Sequence, residues 1–174
     1  ADIPEPTVEA SNKNKKNEEK HVLGIEKELF TVATGEVIAL KDVNDPVFSQ
    51  KMMGDGFAVI PATGEVTAPL SGKIVSVFPT KHAIGMQTAE GAEVLIHMGL
   101  DTVQMSQPAF EILVSEGQEV VAGTTIAQMD LDAIKNEGKE TTIIVVFTDD
   151  KVNGLTINKL GDTERGTVIG KINL

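Results

Sequence analysis

Val114-Ser115-Glu116-Gly117-Gln118-Glu119-Val120-Val121-Ala122-Gly123-Thr124-Thr125-Ile126-Ala127 alternates apolar residues and glycines in the order V-x-x-G-x-x-V-x-x-G-x-x-I. Glycine turns without a Cβ penalty, so this stretch reads as very short antiparallel strands that reverse at each glycine. The same texture extends outward from it. From Val22 onward, apolar runs at 35–40, 56–61, 64–69, 72–78, 93–98, 110–114, 124–129, 141–147 and 167–172 are punctuated by Gly, Pro, Asn and Asp. Many short strands with turn signals at close intervals predict an all-β protein, an antiparallel sandwich or barrel. Helix is confined to residues 46–53, after a cap-like Asn44 or Asp45, and residues 132–137, before Gly138.

The chain also half-repeats itself: Ala33-Thr34-Gly35-Glu36-Val37 recurs as Ala62-Thr63-Gly64-Glu65-Val66, and Ala68-Pro69-Leu70-Ser71-Gly72-Lys73-Ile74-Val75 follows the same turn-into-strand rule. The glycine spacing over 114–127 is similar to that of barrel-sandwich hybrid domains, built from a duplicated hybrid motif.

Composition narrows the function classes. A chain of 174 residues suffices for about one domain with a real core, and 41% hydrophobic content argues that it folds. With six Phe and neither Trp nor Tyr, that core must be aliphatic. A formal net charge of −11 disfavours nucleic acid and anionic membrane and suits a basic or mixed partner surface. The absence of Cys excludes disulfides, thiolate metal sites and a cysteine nucleophile. No apolar run approaches the roughly 18–20 residues that span a bilayer, and no signal-peptide core is present. Residues 1–21 have mixed charge and two prolines with little to bury, and read as a flexible linker or tail ahead of one domain over 22–174. A first residue other than Met fits either a piece of a longer protein or a trimmed terminus.

The chemistry-bearing stretch is Glu93-Val94-Leu95-Ile96-His97-Met98-Gly99-Leu100-Asp101-Thr102-Val103. It sets His97 in an apolar strand that Gly99 is expected to stop, with a carboxylate four residues beyond the histidine. His82 lies upstream in Phe78-Pro79-Thr80-Lys81-His82-Ala83-Ile84-Gly85, and His21 stands at the edge of the tail. Three chemistries are compatible with this pattern. A biotinyl- or lipoyl-like carrier shares the glycine spacing, and Ala68-Pro69-Leu70-Ser71-Gly72 is similar to the biotin carrier's A-P-M-P-G, but no lysine sits at a hairpin tip flanked by small residues or Met. A zinc-dependent metallopeptidase-like site would use H-x-x-x-D plus H-x-H; His97 and Asp101 supply the first element and the second is missing. In the third, a neutral imidazole attacks a phosphoryl group and holds it as a labile N–P bond while a second imidazole hydrogen-bonds the phosphoryl oxygens. Both histidines are expected to end strands, and Thr80 stands two residues before His82. Spacing alone leaves open that the two histidines are unrelated, each hydrogen-bonded where its own strand runs.

The motifs resemble those of the glucose-family enzyme IIA of the bacterial phosphotransferase system. The 93–103 stretch resembles E-L-F-V-H-F-G-I-D-T-V, Thr80-Lys81-His82-Ala83-Ile84 resembles T-x-H-A-F, and residues 45–56 resemble D-x-V-F-x-x-K-x-x-G-D-G, in family order and spacing from about Leu29 to the C-terminus. The resemblance implies a phosphohistidine carrier. It implies that His97 accepts a phosphoryl group, derived from phosphoenolpyruvate, from the small carrier HPr and passes it to a cysteine of an enzyme IIB domain. It makes His82 the transition-state partner and Thr80 the hydroxyl that sets the His82 tautomer. Asp45 and Asp101 fall on carboxylates that flank the pocket, and Val47, Phe48, Met52, Met53, Phe78, Leu95 and Val103 on an apolar ring where partners dock, some of them expected to be ordinary core. The family's aromatic positions are Ile84, Leu95 and Met98 here. The resemblance further implies no cofactor and no metal of the domain's own, with zinc confined to a partner interface, and no direct sugar binding. It implies a cytoplasmic location, tethered to a membrane sugar permease, because the tail is similar to an interdomain linker rather than to the amphipathic tail of free-standing members. Two expectations follow: both rings should reach one phosphate, ~3 Å from its oxygens, and phosphorylation should fade below the ordinary imidazole pKa of roughly 6.5.

Overall fold

The computed structural model describes residues 24–174, so the tail expected over 1–21 lies outside the described residues. In chain order the strands are β1 (Glu26–Phe30), β2 (Gly35–Ala39), β3 (Asp55–Pro61), β4 (Glu65–Thr67), β5 (Gly72–Val77), β6 (Ala83–Gln87) and β7 (Glu93–Leu100). They continue with β8 (Phe110–Ile112), β9 (Glu119–Val120), β10 (Thr125–Met129), β11 (Glu140–Phe147), β12 (Gly154–Ile157), β13 (Gly161–Thr163) and β14 (Val168–Asn173). The largest sheet runs β13-β2-β3-β11-β7-β6-β5-β9, and the smaller ones run β1-β14-β12 and β4-β10-β8. Every pairing is antiparallel. The fold is the all-β antiparallel sandwich expected from the glycine-punctuated runs.

The centre of the large sheet is covered on both faces, which is why β11 reads as an unbroken apolar run. On one face Phe57, Val59, Val94, Ile96, Met98, Ile143, Val145 and Phe147 join the main core with Leu29, Val66, Ile126 and Ile172 of the smaller sheets. On the other, Ala58, Leu95, Ile144 and Val146 meet Leu40, Val43 and Phe48, which come from a 3-10 turn (Leu40–Asp42) and helix α1 (Pro46–Ser49). Burying side chains of this size stabilises by roughly 1.5–3 kcal/mol each, so this small second core suffices to hold the α1 segment against the sheet.

Several boundaries depart from the sequence reading. Helix α1 spans one turn rather than residues 46–53, because Lys51, directly after the Gln50 C-cap, takes positive φ (61°) and ends it. Asp45, not Asn44, is its cap: the Asp45 carboxylate accepts from the Val47 N–H at 2.9 Å. Helix α2 (Leu131–Asn136) starts one residue early, capped by Asp130, which accepts from the Ala133 N–H at 3.0 Å. In the 114–127 stretch, Gly117 and Gly123 do turn with φ of 91° and 87°, but only Glu119–Val120 pairs as strand between them. Gly99 does not stop β7. The strand continues to Leu100, and the register slips there: Met98 faces Ile143 and Leu100 faces Glu140, a bulge on the β11 side.

Candidate functional site

Pleat alternation along β7 sends Val94, Ile96 and Met98 into the main core and leaves Leu95 and His97 on the opposite face. His97 is half-buried there, 5.1 Å centroid to centroid from the Phe48 ring that α1 delivers. Its Nδ1–H donates to the Gly99 carbonyl at 2.8 Å. A neutral ring with its proton on Nδ1 keeps its lone pair on Nε2, so the bond leaves Nε2 as the nitrogen free to act as a base, ligand or nucleophile. Gly99 can offer that carbonyl because it adopts φ of 84°, and a Cβ there would lie 2.3 Å from Thr102 Cγ2 and 3.0 Å from the Glu140 carbonyl oxygen. Thr102 is itself held, its hydroxyl donating to the Met98 carbonyl at 2.6 Å. Gly99→Ala is therefore expected to cost on the order of 2–4 kcal/mol, strain and clash together, read as a lower urea midpoint.

His82 reaches the same place by a different route. Ala83 is the residue paired with His97, so regular alternation would send the His82 side chain to the other face. The segment before β6 is instead a tight turn, closed by the Lys81 N–H donating to the Phe78 carbonyl at 2.7 Å with Lys81 at φ of 63°. This frees His82 from the pleat while its carbonyl still accepts from the Met98 N–H at 2.7 Å. The two imidazole centroids come to 4.9 Å, with the planes at 79°. The Thr80 hydroxyl hydrogen-bonds His82 Nδ1, and the Phe78 ring meets His82 edge-on at 5.6 Å. Neither histidine ends a strand as expected: His82 precedes one and His97 lies within another.

Burial sets the electrostatics. Loss of hydration, followed by the neighbouring His82, pushes the His97 imidazole down to about 4, against the opposing pull of the Gly99 bond, Asp45 and Asp101. Burial also lowers His82, which is only 7% exposed. The His97 ring is thus neutral well below pH 6.5, and the fade expected at that pH moves to a lower one. An NMR titration of the His97 Cε1–H should show its midpoint near pH 4; a midpoint above 6 would contradict the buried geometry. Stability follows the same sign. Unfolded imidazole binds its proton at about 6.5 and the folded ring refuses it until about 4, so stability is full above 6.5. It is lost as pH falls through that window, by up to about 3 kcal/mol for His97.

The remaining sequence-predicted residues divide cleanly. Val47, Met52, Met53, Phe78 and Val103 are exposed, as a docking ring requires, whereas Phe48 is 7% exposed and Leu95 is half-buried against the second core. Asp45 is tied to its cap, and Asp101, at φ of 60°, stands exposed at the end of β7. Ile84 and Met98 are fully buried, so at those two positions the exchange of aromatic for aliphatic residues alters core packing and not the outer face. The Gly99 carbonyl is the site atom that sequence reasoning missed, and its sole signal was the glycine two residues after the histidine. A cavity of about 690 Å³ between residues 62–64, 108–111 and 128–132 contains neither histidine. Among the described residues no group of three His, Cys, Asp or Glu side chains stands close enough to hold a metal.

Residues 27–152 match the family described as phosphoenolpyruvate-dependent sugar phosphotransferase system, EIIA 1. The chain is 48% identical over 155 residues to the glucose-specific EIICBA component of Streptococcus pneumoniae, covering 88% of this chain and 21% of that protein, so it spans about a fifth of that relative's length. It is 46% identical over 120 residues to the glucose-specific EIIA component of Staphylococcus aureus, covering 69% of this chain and 72% of that one. The solved structure of glucose permease IIA from Mycoplasma capricolum superposes with a TM-score of 0.79 at 38% identity, covering 84% of this chain and 96% of that one. With both histidines inside the matched span and the fold shared, the chain belongs to the EIIA 1 family of the phosphoenolpyruvate-dependent sugar phosphotransferase system.

Proposed function

We propose that this chain is a phosphohistidine carrier that takes a phosphoryl group from phospho-HPr onto His97 and passes it to the cysteine of an enzyme IIB domain. The single observation that carries the reading is the pair of neutral imidazoles 4.9 Å apart on the outer face of the large sheet, one of them pinned through Nδ1 to the Gly99 carbonyl. The His97 Nε2 lone pair attacks phosphorus. A new N–P bond forms as the N–P bond of the donor histidine breaks, and the bonding electrons leave with that ring. In the second step the IIB thiolate attacks, an S–P bond forms, and His97 recovers its lone pair. Thr80, by donating its hydroxyl hydrogen to His82 Nδ1, keeps the His82 proton on Nε2, where it can hydrogen-bond the phosphoryl oxygens as they gain charge.

Val47, Met52, Met53, Phe78 and Val103 supply the exposed apolar ring against which partners seat, with Asp45 and Asp101 answering basic groups on them. The net charge of −11 suits such partners and no nucleic acid. The phosphoryl group originates from phosphoenolpyruvate, and the domain needs no cofactor or metal of its own and touches no sugar. The name of the Streptococcus pneumoniae relative, an EIICBA component, supports a IIB domain in the same polypeptide and a place on the cytoplasmic side of a membrane permease. No helix among the described residues is long and apolar enough to cross a membrane. The zinc metallopeptidase-like and biotinyl- or lipoyl-like alternatives are not supported by the family match.

Incubation with phosphoenolpyruvate, enzyme I and HPr should add one acid-labile phosphoryl group per chain. Stoichiometric zinc binding by the isolated chain, with peptide hydrolysis and no phosphorylation, would overturn the proposal.

A further inference from the structure

Two carboxylates outside the histidine pair, three residues apart in the chain, reach two separate segments: the one that leads into α1 and the one that follows β7. Glu137, at the C-terminal cap of α2, accepts from the Ser106 N–H at 3.0 Å, the Ser106 hydroxyl at 2.9 Å and the Gln107 N–H at 3.0 Å. These bonds lower the Glu137 carboxyl below its ordinary range, the Ser106 N–H contributing most. Three residues on, Glu140 accepts from the Asn44 side-chain amide at 2.6 Å while its backbone pairs with Leu100. Asn44 directly precedes the Asp45 cap, so this arm holds the start of α1, which carries Val47 and Phe48. The Glu137 arm holds the connection from β7 to β8, which begins at left-handed Asp101 and carries Val103 on a single 3-10 turn (Thr102–Gln104).

Neither bond group belongs to a strand ladder, and neither carboxylate meets His82 or His97. Each instead fixes a connection that is otherwise short of regular structure and that presents an exposed apolar side chain, Val47 in one and Val103 in the other, with Phe48 of the first packed 5.1 Å from the His97 ring. A docking segment that is ordered before its partner arrives does not have to be ordered by the partner.

We propose that Glu137 and Glu140 are positioning residues that brace the two rims of the phosphoryl-transfer face, setting how tightly partners dock without taking part in the transfer. The proposal rests on the phosphocarrier reading. Glu137→Ala is expected to raise the KM for phospho-HPr by about 3- to 10-fold, with kcat within about twofold, the effect of unfixing one docking segment. Glu140→Ala should do the same from the other rim, and the double variant should show roughly the product of the two. Glu137→Gln, which retains one acceptor oxygen, should fall between Glu137→Ala and the unmutated chain.

Hydrogen exchange supplies a readout independent of any partner, since the Ser106 and Gln107 amides should lose protection in Glu137→Ala while β7 and β11 amides keep theirs. If the unmutated chain is phosphorylated normally and the variants keep its KM, or lose kcat instead, the brace is wrong and the carrier reading stands. If the unmutated chain accepts no phosphoryl group, the carrier reading fails and the docking role fails with it, whatever the exchange experiment shows.

Discussion

His97→Ala is expected to take up no phosphoryl group from phospho-HPr, a loss on the order of 10⁴-fold or more in rate, because the variant has no nitrogen to form the N–P bond. The neighbouring ring cannot substitute. In the assigned tautomer His82 carries its proton on the nitrogen that faces the site, since the other nitrogen is engaged by Thr80. The loss should not come from unfolding: His97 stands on the outer face of β7, whereas Ile96 and Met98 beside it fill the main core. The variant should therefore keep the native spectrum and, with one buried imidazole fewer, lose less stability between pH 6.5 and 4 than the unmutated chain. Single-turnover transfer from labelled phospho-HPr measures the first effect. Label appearing in His97→Ala at a comparable rate would remove His97 from the nucleophile's role.

His82→Gln should separate the two halves of the cycle. A glutamine keeps an N–H donor of similar reach but not the edge-on fit between Phe78 and His97, whose centroids lie 5.6 and 4.9 Å from the His82 ring. Its amide also cannot be set to one tautomer by Thr80. The His97 Nδ1 bond to Gly99 is untouched, so Nε2 stays free and the variant should still accept a phosphoryl group from phospho-HPr, more slowly. Onward transfer to the IIB cysteine should fall by about 10²-fold or more, the scale of removing one preorganised donor from developing charge. His97→Gln, by contrast, should do neither step. The measurement is a pair of single-turnover assays, with phospho-HPr as donor and a IIB domain as acceptor. Onward transfer by His82→Gln at the unmutated rate would leave His82 without the role assigned to it.

The sequence was informative where the physics is local. Apolar runs cut by glycine specify short strands, and the two-residue repeat of Glu93 to Met98 already separates the core-facing Val94, Ile96 and Met98 from His97. The motif around His97 pointed to the family, and a cap-like Asn44 or Asp45 ahead of Pro46 marked a helix start. What the sequence misjudged were extents. Lys51 at positive φ ends α1 after one turn, and a lysine carries no sign that it will take that conformation. Gly99 read as a strand stop because glycine usually breaks pairing, yet here β11 absorbs the irregularity with its own bulge and the strand continues.

From the amino-acid order alone, the all-β class, the two histidines and the hydroxyl at Thr80 are determined, because each depends on residue type within a few positions. The convergence of the rings is not. His82 pairs by position with the wrong pleat to face His97, and only the turn at Lys81 brings the centroids to 4.9 Å. The free Nε2 of His97, its lowered pKa and the hydrogen bonds of Glu137 and Glu140 are likewise products of tertiary structure. They arise from a carbonyl presented at positive φ, from burial beside Phe48, and from hydrogen bonds between residues 30 to 96 positions apart. Interactions of that kind act through distance in space, which has no periodicity along the chain to reveal it.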